Sequence, residues 1–207
     1  MAMRLSKAWD ITGIMSIACA HHGCFAPNSV ANLARGEQQK NVDWAFLQAL
    51  KTTNLDVRQR VMLIYDIACQ YTIHLQDRIR HLLLDGLNIN SAIGQFHVHG
   101  HKDICLFRYS TSFIPGAGVV AGEILESLWA VLATVTPAMH TATLAHHAKI
   151  MDDHMTDSNP KKCLGMGECQ LPRAWVINDK NLQLQAWQID FYMHRACLLG
   201  QMSIIQT

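Results

Sequence analysis

The apolar run Val61-Met62-Leu63-Ile64-Tyr65, closed by Asp66, constrains this chain more than any other stretch. It reads as a buried strand that delivers one carboxylate at its C-terminal end. Beyond it, Ile67, Tyr71, His74, Leu75, Ile79, Leu82 and Leu83 recur at steps of three and four up to Gly86, so a helix is expected there, with the glycine at its C-cap. A strand that ends in Asp and turns at once into a helix is how α/β folds place a metal-binding or acid/base carboxylate at a sheet rim. The competing use of the same residue is to cap the following helix by accepting its orphan N–H groups.

A chain of 207 residues, half of them hydrophobic, has enough material for one domain or one and a half. No run approaches the roughly 18 consecutive apolar residues of a membrane span, and the N-terminus lacks a basic region followed by a long apolar one. The expectation is an intracellular protein with no membrane partner. Seven cysteines among twelve histidines suit a reducing compartment, where thiols pack or bind metal. The net charge of +1 supplies no long-range field for nucleic acid, so DNA, if bound, must be held by local patches.

Around the central strand the other elements fall in order. Ile11 to Cys19 has the Ile, Met and Thr content of a strand, and Pro27-Asn28 and Gly36 mark a loop. Val42, Phe46, Leu47 and Leu50 have helical spacing, ending near Asn54. A second buried strand is expected over Ile93 to Val98. The loop Pro115-Gly116-Ala117-Gly118 precedes Gly122-Glu123 and a largely buried helix from Ile124 to Thr134. Pro137 breaks the pattern, and helices are expected over 142–157 and 173–200, separated by Pro160 and the loop 163–169. The layout is mixed α/β, divided into a core over 1–137 and a C-terminal helical extension over 138–207.

Taken together, a set of short motifs in order resembles the Kyakuja-Dileera-Zisupton (KDZ) family of DNA transposases, which is abundant in fungi. They are Thr12-Gly13, Cys19-x-x-His22-Gly23, Pro27-Asn28, Gly36-Glu37, Asn41-Val42-Asp43-Trp44 and Tyr65-to-Gln70. Then come Phe96-His97, His101, Cys105, Pro115-to-Gly118, Gly122-Glu123-x-x-Glu126-x-x-Trp129, Thr143-Leu144, Asp152-to-Asn159 and Lys161-Lys162.

The resemblance implies a partial RNase H-like (DDE transposase) core with additional C-terminal helices, acting on DNA in the nucleus. Carboxylates in such a core hold Mg2+ or Mn2+, and two hard cations about 4 Å apart stabilise the attacking and leaving oxygens of a phosphoryl displacement. Asp66 matches the family's second catalytic aspartate. Glu123 matches its helix-motif glutamate, and Glu126, one turn further on the same face, is an alternative. Taken without the family, Glu123 is a first-turn acid favoured by the helix dipole.

The family's first aspartate lies on a strand upstream of the Cys-x-x-His element, and the only acid before Cys19 is Asp10, in a Trp-Asp-Ile-Thr context that does not match. Ile124, Ser127 and Ala142 also depart from the family pattern. The expectation is a truncated, inactive transposase remnant in which the central strand of the sheet is missing and two open strand edges remain.

A second constellation is built from Cys and His. If the strand through 93–98 persists, His97, His99 and His101 share a face. Cys19 and His22 have the gap of half a zinc site, and with His101 and Cys105 they would complete a Cys2His2 set for structural Zn2+, His97 being the reserve ligand. The competing interpretation is packed thiols and surface imidazoles. A non-catalytic, zinc-stabilised DNA- or protein-binding domain is therefore the alternative function.

Overall fold

Arg60–Tyr65 forms a strand, β3, whose residues from Val61 to Tyr65 are all buried. It lies in a computed structural model that describes residues 11–53, 60–83, 85–118, 120–166 and 184–193. The other strands are β1 (Gly13–Cys19), β2 (Ala31–Leu33), β4 (Asn88–Ala92) and β5 (Leu184–Met193). Together they make one five-stranded mixed sheet in the order β2-β1-β5-β3-β4. β3 runs parallel to both its neighbours, β4 and β5, whereas β1 is antiparallel to β2 and β5.

The pleat sends alternate side chains of the sheet into two different cores. On one face Met15, Ile17, Val61, Leu63 and Tyr65 pack with Val42, Phe46 and Leu50 of helix α1 (Gln39–Thr52). Completing that core are Ala68 and Tyr71 of α2 (Ala68–Tyr71), Leu75 and Ile79 of α3 (Leu75–Ile79), Val98 of α4 (Gln95–Val98) and Cys105 of α5 (Asp103–Tyr109). On the other face Ile14 and Ala18 pack under Leu125, Leu128, Trp129 and Leu132 of α6 (Ile124–Leu132), joined by Met139 of α7 (Thr136–Thr141) and Met151 of α8 (Leu144–Met166). Trp129 is fully buried, its ring 6.1 Å from that of Phe25.

Several elements differ from their expected form. The segment expected as a strand over Ile93 to Val98 starts just past the end of β4 at Ala92: Ile93 makes an isolated bridge to Ser110, and α4 follows from Gln95. β4 shows no strand pattern in sequence, because Asn88, Asn90 and Ser91 break its apolar alternation, as a strand at the sheet's edge allows. Gly94 then turns the chain, and its carbonyl accepts from Val98 N–H to open α4, so His97 and His99 do not share a strand face.

The helix expected over 67–86 is divided into α2, α3 and two 3₁₀ turns over 72–74 and 80–82. Arg78 Nη2 donates to the Tyr71 carbonyl at 3.3 Å, and Thr72 Oγ1 to that of Ala68 at 2.6 Å, so side chains draw on carbonyls that a regular helix would use alone.

Pro160 separates nothing: α8 continues through it to Met166. A tertiary clamp holds that turn, since Asn159 accepts from Phe25 N–H at 2.8 Å and donates to the Phe25 carbonyl at 3.0 Å. Pro160 removes one donor from the ladder, and these contacts with the loop after β1 keep the helix in place.

The largest difference is β5. Residues 184–193 lie within the stretch expected to be helical over 173–200, yet they form a strand between β1 and β3, and the rest of that stretch lies outside the described residues. The alternation Leu182-Gln183-Leu184-Gln185 is the strand signal that the helical reading passed over. The central position expected to be empty is therefore filled, and neither β1 nor β3 has an open edge at that place.

Candidate metal centre at the sheet rim

Asp66 follows β3 directly and is 2% exposed. It does not cap the next helix: the N-cap of α2 is Ile67, with no side-chain hydrogen bond. Its Oδ1 instead lies 3.4 Å from Nδ1 of His97 in α4. The same nitrogen is 3.1 Å from Oε2 of Glu123, so one imidazole spans carboxylates from a strand end and a helix start.

Glu123 is the N-cap residue of α6, but its carboxylate makes no capping bond. Its Oε1 accepts from the Phe96 amide at 2.9 Å. Burial opposes ionisation of Glu123, but hydrogen bonds to His97, Glu126 and the Phe96 amide outweigh it and hold the carboxyl below its ordinary pKa. Glu126, one turn along α6, turns to the same place: ligand atoms of His97, Glu123 and Glu126 all lie within 4.8 Å of one another.

Two glycines make this approach possible. A Cβ on Gly94 would strike the Glu123 carboxylate and come within 3.1 Å of the Gly122 carbonyl. Gly122 itself has φ +75°, and a Cβ there would sit 2.9 Å from Ile64 of β3. The loop before α6 thus packs flat against the ends of β3 and β4, fastened by Gln95 N–H to the Ala121 carbonyl at 2.8 Å and Thr111 Oγ1 to the Val120 carbonyl at 2.7 Å. That is how a residue 57 positions away in sequence reaches Asp66.

The Cys and His residues sort differently from the expected set. Cys19 Sγ lies 3.4 Å from His22 Nδ1, but among the described residues no close group of three donors includes either. His101 and Cys105 instead meet Cys69, whose Sγ is 3.4 Å from His101 Nδ1, with the three donor atoms within 4.8 Å. His97, the expected reserve ligand, belongs to the carboxylate cluster. Burial lowers the His101 pKa, with a further push from His97, which favours the neutral imidazole that ligates metals. Burial, then Cys105, raises that of Cys69. In sequence Cys69 is hidden inside the Tyr65-to-Gln70 motif, and its one signal is a thiol one turn beyond Asp66 that can complete the His101-x-x-x-Cys105 half-site.

An α/β sheet with a buried aspartate at a strand's C-terminal end, and glutamates brought over it by a helix on one face, defines a protein with a carboxylate site of the kind that holds hard cations. The family model described as Kyakuja-Dileera-Zisupton transposase matches residues 2–159, and the chain belongs to that family. Membership points to a transposase-related function, with DNA as partner and metal dependence. No curated protein and no solved structure matches the chain. No helix among the described residues is long and apolar enough to cross a membrane.

Proposed function

We propose that Asp66, Glu123 and Glu126, with His97, form the divalent-metal site of an RNase H-like strand-transfer domain acting on DNA. The observation that carries this is the convergence on His97 Nδ1 of Asp66 Oδ1 at 3.4 Å and Glu123 Oε2 at 3.1 Å. The strand order, with an antiparallel pair on one side of the sheet and parallel strands on the other, supports the RNase H-like reading.

The donor set fits the group. Carboxylate oxygens with one imidazole suit Mg2+ or Mn2+, and the ligand atoms of His97, Glu123 and Glu126 are near enough to share an ion. When bound, such ions activate a water or 3′-hydroxyl and stabilise the leaving oxygen. The chain's own part is positional. Asp66 holds its place on the rim because β3 is buried, Glu123 is steered by the Phe96 amide, and the Glu123 carboxylate is kept charged by its hydrogen bonds. Assay of cleavage and joining with Mn2+ tests the proposal: activity lost in Asp66→Asn and Glu123→Gln, with thermal melts unchanged, is expected. Cleavage undiminished in both variants would overturn it, and a wild type that binds Mn2+ at this site but cuts nothing would restore the inactive-remnant reading.

A second reading rests on the Cys69, His101 and Cys105 cluster. Two thiols and an imidazole are soft and borderline donors, so this separate group suits Zn2+ rather than Mg2+. A zinc-stabilised binding domain without catalysis would keep this cluster and lose nothing on substitution of Asp66. Elemental analysis beside the activity assay separates the two readings.

A further inference from the structure

With a net charge of only +1, the chain has to hold DNA by a local patch, and the surface beside the metal centre supplies one. A cavity of about 570 Å³ opens between the residues that follow Asp66 and the stretch from Gly100 to Tyr109. Ile67 and Gln70 line it from the first, Lys102 and Arg108 from the second, and no acid is among its described lining residues. Both cations are exposed, and neither side chain is held in an ion pair among the described residues. Ile104 and Arg108 stand one turn apart on α5, so both turn to the cavity. The cavity adjoins the metal centre: Ile67 follows Asp66 in the chain, and Gly100 N–H donates to the His97 carbonyl at 2.9 Å.

Phe96 adds a separate observation. It is 78% exposed, although its amide is committed to Glu123 and its ring stands edge-on to that of His97, the centroids 5.4 Å apart. The backbone beneath the ring is thus fixed to the metal centre while most of the side chain stays in water. A single exposed apolar residue is ordinary. Here, however, the three phenylalanines exposed among the described residues, Phe96, Phe107 and Phe113, all fall in the segment that carries the two cations, and the rings of the last two lie 5.8 Å apart. A cationic groove beside exposed aromatic rings suits single-stranded nucleic acid, whose phosphates meet the cations while unpaired bases stack on the rings. A duplex keeps its bases stacked within itself and could use only the cations.

We infer that α4 and α5 form a seat for an unpaired DNA strand, its backbone held by Lys102 and Arg108 and one base stacked on Phe96 beside the metal centre. This rests on the proposed strand-transfer site, to which the seat presents an unpaired strand in preference to an intact duplex. Lys102 and Arg108 supply the affinity that depends on salt, and Phe96 supplies the discrimination between unpaired and paired DNA.

The test is fluorescence anisotropy on the full chain without added divalent metal, using a labelled single strand of about 12 nucleotides and a blunt duplex of the same length. The single strand should bind about tenfold more tightly than the duplex. Lys102→Ala and Arg108→Ala together should weaken single-strand binding about tenfold or more and flatten the log–log salt slope by about 1.4, as expected for two phosphate contacts. Phe96→Ala keeps the amide that holds Glu123; it should weaken single-strand binding about tenfold and leave duplex binding unchanged, and Phe96→Trp should restore the affinity. Equal binding of strand and duplex by the wild type, or wild-type affinity in either the Lys102 and Arg108 variant or Phe96→Ala, would overturn the inference. Photo-crosslinking of an iodouracil-bearing strand to the unsubstituted chain needs no variant to fold: attachment at Phe96 is expected, and attachment confined to peptides outside 96–113 counts against the seat. Failure of the metal site reads differently. Cleavage undiminished in Asp66→Asn would remove that site and leave these binding results standing, whereas cleavage that depends on Asp66 without a preference for unpaired strand removes the seat alone.

Discussion

Gly94 and Glu37 show how single residues set the chemistry. Glu123 swings its carboxylate across the position a Gly94 side chain would fill, and that carboxylate is the movable end of a flexible chain. Gly94→Ala should therefore weaken Mn2+ binding about tenfold or more, as misplacing a ligand does, and lower the melt modestly because the new Cβ also comes within 3.1 Å of the Gly122 carbonyl; calorimetry reads both. Glu37 is pushed up to about 7 by burial, against a smaller opposing effect of its hydrogen bond from Tyr65. Its folded pKa lies above the unfolded one, so its contribution to stability is full below about pH 4.5 and is lost as the pH rises through about 7. Urea unfolding measured from pH 4 to 8 should show this decline, and Glu37→Gln, which keeps the neutral form, should flatten it.

Elements are held together by polar anchors as much as by apolar faces. Asp43 of α1 accepts from Tyr71 Oη at 2.6 Å, from Arg78 Nε at 2.8 Å and from Arg78 Nη2 at 3.1 Å, while the Arg78 guanidinium stacks 4.8 Å from the Tyr71 ring. This ties α1 to the broken helical segment that leads away from Asp66. Asp43→Ala should destabilise the chain by about 3 kcal/mol, because it strands a buried hydroxyl and a partly buried guanidinium, whereas Tyr71→Phe should lose only about 1 kcal/mol. Chemical denaturation checks the difference. The contact of α2 with the stretch from His101 to Cys105 makes a further claim: Cys69→Ser and Cys105→Ser should each remove bound zinc, and Cys19→Ser should not, as measured by elemental analysis.

For the molecule as a whole, the sheet depends on a strand from the far end of the chain. β5 pairs along the whole of β1 and of β3, and without it both would present unpaired N–H and C=O groups in the middle of an apolar sheet. Deleting residues 167–207 should therefore abolish the cooperative melt and shift the protein to aggregates in size-exclusion chromatography.

Local pattern was sufficient for β1, α1, β3 and α6, because each buries an apolar run or stripe whose period shows directly in the residues. The candidate acids Asp66, Glu123 and Glu126 were also legible, from their places in motifs. What the residues in a row could not express was which distant pieces meet. β4 hides behind polar side chains at an edge, and His97 reads as one of an alternating series until Gly94 turns it into a helix beside Glu123. Pairing of β5 with β1 and β3, and of Cys69 with His101 and Cys105, joins segments far apart in the chain. The sequence by itself determined the strand that ends in Asp66, the helix that begins at Glu123 and the family. Only the tertiary structure decided that His97 stands between those two carboxylates and that the centre of the sheet is occupied. Periodicity records the faces an element must bury, whereas the choice of partner is made by long-range packing and backbone hydrogen bonding.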